Sequence, residues 1–310
     1  MTTLFVLPTE IASFYVDEFR RQAPDRSLEL WPEVSKISAI EHAFVLQPEF
    51  GLLARLPNLR SISAIGAGVD HILRDPSVPT HIPIARLVQP DLRQRMTEYV
   101  VLHVLRHHRQ TNVYDSQQHR KEWKMLLPQP SAADRCVGIL GLGVLGRDAA
   151  EKLNYLGFRT VGWSQSAKSV AGTTCVYGDV GLDELLCQCD ILVSLLPLTA
   201  QTKHLINHAL LMRLPKGASI INASRGSVID ERALLTALNE QHISQATLDV
   251  FEVEPLPQES ELWTHPNVTI TPHAASAAMP EPVIGMLLDT IARVEAGCAP
   301  KFQVDRGRGY

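Results

Sequence analysis

What the sequence lacks narrows its class first. No run approaches the about 20 consecutive apolar residues that span a bilayer. The opening MTTLFVLPTE has no basic start and an apolar stretch only at residues 4–7, which predicts a first strand and no signal peptide. A cytoplasmic protein without a membrane partner is expected. The formal net charge of −4 offers no basic surface for nucleic acid. Cysteine is scarce and oddly numbered: Cys136, Cys175, Cys187, Cys189 and Cys298 form no disulfide framework. Cys187-x-Cys189 is not a CxxC site, and no histidine cluster completes a ligand set nearby, so reduced buried thiols and no metal are expected. There is no short-period repeat and no low-complexity segment. What remains is an ordinary globular composition, 45% hydrophobic and 20% charged over 310 residues, enough for one large or two ordinary domains.

The strongest local signal is residues 136–157, CVGILGLGVLGRDAAEKLNYLG. A buried-strand run at 136–140 leads into Gly141-x-Gly143-x-x-Gly146 and then a helical pattern closed by Gly157. In a dinucleotide fingerprint the first glycine makes the turn and the second admits a pyrophosphate. The third lets helix and strand pack, and the helix N-terminus faces the phosphate charge. Val144 and Leu145 between these glycines are assigned to the same site. The next strand, 159–163, ends in Trp163-Ser164-Gln165-Ser166-Ala167-Lys168. Ser164 lies 18 residues beyond Gly146, where an NAD enzyme usually carries a carboxylate for the ribose hydroxyls. None is present, and Ser164, Gln165 and Lys168 are suited to a 2′-phosphate. NADP(H) is therefore the preferred cofactor, with NAD(H) possible.

Elsewhere strands and helices alternate, the mark of parallel α/β sheets. Apolar runs at 4–7, 43–46 and 61–65 read as strands, with helices at 11–20 and 49–56. The third ends in Gly66-Ala67-Gly68-Val69-Asp70, whose exposed backbone N–H groups form either an anion nest or a plain turn. Residues 73–88 read as loop. A long helix at 92–109 keeps Met96, Val100 and Val104 on one side, with His108 a further candidate there, and connects two domains; its end, Arg106, His107, His108 and Arg109, reads as a solvated basic face. Residues 114–127, with Trp123, read as an arm. Further strands are expected at 191–196 (ending at Pro197), 219–222, 246–250 and 268–271, and helices at 182–189, 208–213 and 231–238. A last helix at 280–297 is expected to return to the first domain.

Arg225, Glu254 and His273 each follow a predicted strand end, the rim that lines the ligand crevice of an open α/β sheet. An imidazole exchanges a proton with an alcohol or carbonyl oxygen near neutral pH. A neighbouring carboxylate favours the imidazolium and fixes its tautomer, and a guanidinium holds a carboxylate bidentately. Beside a nicotinamide this set suits hydride transfer between 2-oxo and 2-hydroxy acids. The competing reading is an Arg225–Glu254 structural ion pair with His273 capping a turn.

The ordered combination GAGVD at 66–70, GLGVLG at 141–146, NASRG at 222–226, DVFEVEPL at 249–256 and TPH at 271–273 resembles the D-2-hydroxyacid dehydrogenase family over nearly the whole chain. The segments 255–266 and 304–310 are similar to its glyoxylate/hydroxypyruvate reductases. The resemblance implies two α/β parallel-sheet domains, Rossmann-like and flavodoxin-like, with the dinucleotide domain (99–275) inserted into a substrate domain (1–98 and 276–310), and a homodimer. It implies that His273 is the general acid/base, Glu254 orients it, and Arg225 binds and polarises the substrate. The backbone of Ala67, Gly68 and Val69 would hold the substrate carboxylate. Asp249 would bind the nicotinamide carboxamide, with Leu196, Pro197 and Ala223 on the cofactor side. Glyoxylate and hydroxypyruvate would be reduced to glycolate and D-glycerate. Two residues depart from the reductase pattern: Gln165 replaces an arginine for the NADP phosphate, and Leu46 replaces an aromatic near the substrate, leaving bulkier 2-oxo acids open. A non-enzymatic dinucleotide sensor on the same fold is the alternative of a different class.

Overall fold

A computed structural model describes residues 1–66, 68–86, 90–277 and 279–307. The chain divides into two compact units, Met1–Pro90 with Ala278–Tyr310, and Asp91–Ala277. In the first unit the elements are β1 (Thr2–Val6), α1 (Thr9–Gln22), β2 (Ser27–Leu30), β3 (Ile40–Val45), β4 (Ser61–Ala64), α2 (Asp70–Leu73) and β5 (Ile84–Ala85). Its sheet is parallel, in the order β2-β1-β3-β4-β5. β1 is buried along its whole length, and its apolar part, Leu4–Val6, is most of the run at 4–7. α1 buries Ala12, Tyr15, Val16 and Phe19, a stripe at helical spacing, and Phe19 meets Phe5 edge-on at 5.3 Å.

The second unit opens with α3 (Pro90–His108) and α4 (Thr111–His119), followed by β6 (Cys136–Leu140), α5 (Val144–Tyr155), β7 (Arg159–Ser164), β8 (Thr173–Tyr177) and α6 (Gly178–Leu186). It continues with β9 (Ile191–Ser194), α7 (His208–Leu211), β10 (Ala218–Asn222), α8 (Glu231–Asn239), β11 (Ile243–Leu248) and β12 (Val268–Ile270). The seven strands are parallel, in the order β12-β11-β10-β9-β6-β7-β8. This is the doubly wound order with one added strand, and its direction reverses between β6 and β9. Alternate residues of β6 feed two cores: Cys136 and Leu140 join the layer under α6, α7 and α8, while Val137 and Ile139 join Met96, Val100, Val104 and α5. Finally α9 (Pro280–Glu295) returns to the first unit and packs on α1 and β4.

Several expectations need correction. The domain boundary at 98/99 falls inside α3; the units part at 90/91, because Met96, Val100 and Val104 all pack on the second sheet. The return lies at 277/278 in place of 275/276. Residues 49–56 hold only a short 3₁₀ turn at Leu53–Arg55. Pro48 and Pro57 bracket the segment, and Gly51 is left-handed at φ 82°. Two edge strands, β2 and β8, carry no apolar run. The basic end of α3 is not a solvated face: His107 and His108 are buried, along with His103. Of the five free cysteines, Cys187 and Cys298 are exposed and Cys175 is half-buried. Among the described residues no helix is long and apolar enough to cross a membrane, and no His/Cys/Asp/Glu group could hold a metal ion.

Candidate active site

The crevice begins where β6 ends. Gly141 is left-handed at φ 105°, and a Cβ there would stand 2.8 Å from the Leu195 carbonyl oxygen just past β9. A Cβ on Gly146 would collide with the Gly141 carbonyl, so only glycine lets α5 sit this close to the turn. Gly143, by contrast, faces open space and is the N-cap of α5 with no side-chain cap, leaving the first helical N–H groups as donors. A close-packed turn with an open, uncapped helix start fits a pyrophosphate. Val144 is exposed at this mouth and Leu145 packs into the core below it. Leu196 and Ala223 are buried at the ends of β9 and β10, and the Pro197 carbonyl accepts from Thr202 Oγ1 at 2.6 Å.

At the end of β7 the Ser164 hydroxyl donates to the Ser166 carbonyl at 2.8 Å, while Gln165 and Lys168 are exposed. Residues 164–168 contain no carboxylate, and Lys168 makes no ion pair among the described residues. The rim therefore carries a cation without a built-in anion to compete with a phosphate.

Past β10 the chain folds back on Asn222. Its Oδ1 accepts from Ser224 N (3.2 Å) and Ser224 Oγ (2.6 Å), and its Nδ2 donates to the Arg225 carbonyl at 3.1 Å. This side-chain turn sets the half-buried Arg225, whose Nη1 donates to the Ser224 carbonyl at 2.7 Å. The following Gly226 lies directly on Phe251; any Cβ would fall on the Phe251 carbonyl group. Residues 222–226 and the loop after β11 are thereby locked together.

That second loop carries Glu254. Its Oε1 accepts from Phe251 N at 2.9 Å, and its Oε2 lies 2.8 Å from His273 Nδ1. Burial pulls the Glu254 carboxyl upward. The hydrogen bonds from His273 and Phe251 N–H, with the charges of His273 and Arg225, outweigh burial and hold it below its ordinary value. The carboxylate pairs with the imidazole, and the Arg225 charge acts on it as well. The His273 side chain remains about half exposed.

His273 has a left-handed backbone, φ 53°, which costs a non-glycine residue unless its surroundings impose it. Asp249, buried just past β11, does so. Its carbonyl accepts from His273 N at 2.8 Å, and its carboxylate takes Ala274 N (2.8 Å), Ala275 N (3.0 Å) and Thr271 Oγ1 (2.6 Å). Three of the carboxylate's four acceptor positions are thus occupied by the His273 loop, leaving one on Oδ2. Sequence reading did not single out Thr271 or its partner Tyr99, whose hydroxyl lies 2.7 Å from Thr271 Oγ1. The signal was present: Tyr99, His103 and His107 recur every four residues along one side of α3.

In the first unit, Val69 is buried ahead of α2, with its carbonyl accepting from Ile72 N and Leu73 N, both at 3.0 Å. Gly68 is half-buried beside it. Ala67 lies outside the described residues.

A doubly wound sheet, a glycine turn fitted to a pyrophosphate and an imidazole–carboxylate couple on the same rim define a dinucleotide-dependent dehydrogenase. Residues 101–275 match the family described as D-isomer specific 2-hydroxyacid dehydrogenase, NAD binding domain, and the chain belongs to that family. It is 38% identical, over the full length of both chains, to glyoxylate/hydroxypyruvate reductase A of Yersinia enterocolitica, and 39% identical to that of Salmonella paratyphi B. Among solved structures it resembles a D-isomer specific 2-hydroxyacid dehydrogenase of Xanthobacter autotrophicus Py2 in complex with NADPH and MES. There the TM-score is 0.92 and the identity 38%, covering 100% of this chain and 99% of that one. It is similarly close to the NADPH-dependent glyoxylate/hydroxypyruvate reductase of Sinorhizobium meliloti in complex with NADP and sulfate (TM-score 0.92, 36% identity, 100% and 99% covered).

Proposed function

We propose that the protein reduces small 2-oxo acids, glyoxylate and hydroxypyruvate first, to glycolate and D-glycerate, and prefers NADPH to NADH. The observation that carries this reading is the His273–Glu254 couple on the rim of a dinucleotide sheet. The Glu254 carboxylate can only accept, so His273 Nδ1 carries its proton and Nε2 is the nitrogen left for the substrate. His273 donates from Nε2 to the carbonyl oxygen as it becomes an alkoxide, and Glu254 stabilises the imidazolium that precedes this transfer. A bound nicotinamide supplies the hydride. Arg225 holds the substrate carboxylate and polarises the carbonyl. Asp249 offers its remaining acceptor position to the carboxamide.

The cofactor preference rests on the absence of a carboxylate at 164–168 together with Lys168, and the NADPH- and NADP-bound relatives support it. The first unit takes the substrate and the second the cofactor. A cytoplasmic homodimer without a nucleic-acid partner completes the proposal; Trp123, Met125 and Leu127, exposed within one short segment, support self-association. A bulkier 2-oxo acid is the second reading, favoured by half-buried Leu46 at the end of β3.

The test is the initial rate with hydroxypyruvate, glyoxylate and larger 2-oxo acids, each with NADPH and NADH. NADPH favoured about tenfold, ~1.4 kcal/mol of discrimination, is expected. Turnover favouring NADH would overturn the cofactor reading alone. Tight dinucleotide binding with no turnover of any 2-oxo acid would refute the enzyme and favour a sensor. Arg225→Ala and His273→Asn should each abolish most turnover with folding retained.

A further inference from the structure

A chain of hydrogen bonds runs from α3 to the loop bearing His273, and its direction is fixed. An ionised Asp249 carboxylate can only accept, so Thr271 Oγ1 spends its one proton on Asp249 Oδ1 (2.6 Å). The 2.7 Å contact between Thr271 and Tyr99 must then be donated by the phenol. Tyr99 is itself held by the His103 ring, 4.3 Å away centre to centre, one turn along α3. The far end of the chain is the His273 loop: Asp249 grips Ala274 N and Ala275 N by its carboxylate and His273 N by its carbonyl.

We infer that Tyr99 is a positioning residue for His273, its hydroxyl orienting Thr271 so that Asp249 clamps the 271–275 loop in the left-handed turn that presents the imidazole to Glu254. Tyr99 acts through Thr271 and Asp249 and does not touch the reacting atoms. The groups facing the loop are Asp249 and Glu254, with Arg225 acting on Glu254 and uncharged Tyr99 and His103 facing from α3. Without the phenol, Thr271 loses the donor that fixes its rotamer, the clamp on the loop slackens, and the imidazole loses its alignment with the carboxylate. The inference rests on the proposed role of His273 as proton donor.

The experiment compares wild type with Tyr99→Phe, Thr271→Val, Thr271→Ser and the Tyr99→Phe/Thr271→Val double variant. Expected for Tyr99→Phe is a kcat about fivefold lower with KM for hydroxypyruvate little changed, the size of one lost hydrogen bond. Thr271→Val behaves alike, Thr271→Ser restores wild-type behaviour, and the double variant is no worse than Thr271→Val alone. Independently of turnover, NMR of histidine-labelled protein, with the His273 ring signal assigned from His273→Asn, should show its Nδ1–H signal moved upfield and exchanging faster with water in Tyr99→Phe, the mark of a loosened bond to Glu254. An unchanged Nδ1–H signal overturns the inference, as does a displaced signal with wild-type kcat in an active enzyme. Absence of turnover in the wild type would refute the functional reading alone and leave the Nδ1–H signal to decide the positioning role.

Discussion

Acid should weaken the second unit through His107, by an amount the structure sets. The ring is 5% exposed; its Nδ1 lies 2.7 Å from Gln245 Oε1 and its Nε2 3.0 Å from Thr247 Oγ1. These partners suit the neutral imidazole, with Nδ1–H donating to the amide oxygen and Nε2 accepting from the hydroxyl. Burial pushes its protonation down to about 4 from 6.5, opposed by the Gln245 hydrogen bond and reinforced by the Arg106 charge. The folded state therefore binds fewer protons than the unfolded one between these values. Stability is fully present above pH 6.5, falls as the pH drops, and loses nothing more from this group below about 4. At pH 5 the unfolded chain holds about 0.9 proton more at this site, and the integrated loss from pH 7.5 is ~2 kcal/mol. His103, also held down to about 4 by burial and by His107 and Arg106, acts in the same direction. The assay is urea unfolding at pH 7.5 and 5.0, followed by fluorescence, with buried Trp163 reporting the second unit. His107→Gln removes the titrating group, and its loss between the two pH values should be smaller by ~2 kcal/mol. Parallel losses in variant and wild type would refute the reasoning.

Gly226→Ala should cost ~1–3 kcal/mol, read as a lower urea midpoint, and should reduce turnover as well, because the new methyl pushes the Arg225 and Glu254 loops apart. Lys168→Ala should raise KM for NADPH about fivefold and leave KM for NADH unchanged, whereas Gln165→Arg should lower KM for NADPH. Trp123→Ser should weaken self-association, seen by light scattering as a lower mass at micromolar concentration.

The legible parts of the chain were those where one physical requirement governs each residue. A strand such as β6 is buried on both faces and is apolar throughout, so it stands out as a run. Gly141 and Gly146 must lack a Cβ, and that necessity is written as a motif. The edge strands escaped because Ser27–Leu30 and Thr173–Tyr177 are only half covered and need no apolar pattern. The histidines of α3 were misread because polarity was equated with solvent; Thr247 and Gln245 reach them from β11, a strand about 140 residues away in sequence. The Tyr99–Thr271–Asp249 chain joins segments far apart in sequence, so only its α3 side is written locally, as the four-residue recurrence of Tyr99, His103 and His107.

The chain order carries a consequence for biosynthesis. The first unit is complete only when α9 packs Val283, Ile284, Leu287 and Ile291 into it, and residues 91–277 must be translated before that helix exists. At ordinary elongation speeds this is a wait of roughly 10–40 s, during which the apolar side of the nascent β1–β4 sheet meant for α9 has no cover. The second unit is continuous in sequence and meets no such delay. The inserted half can therefore mature first, while the outer half waits for α9 before its core is closed.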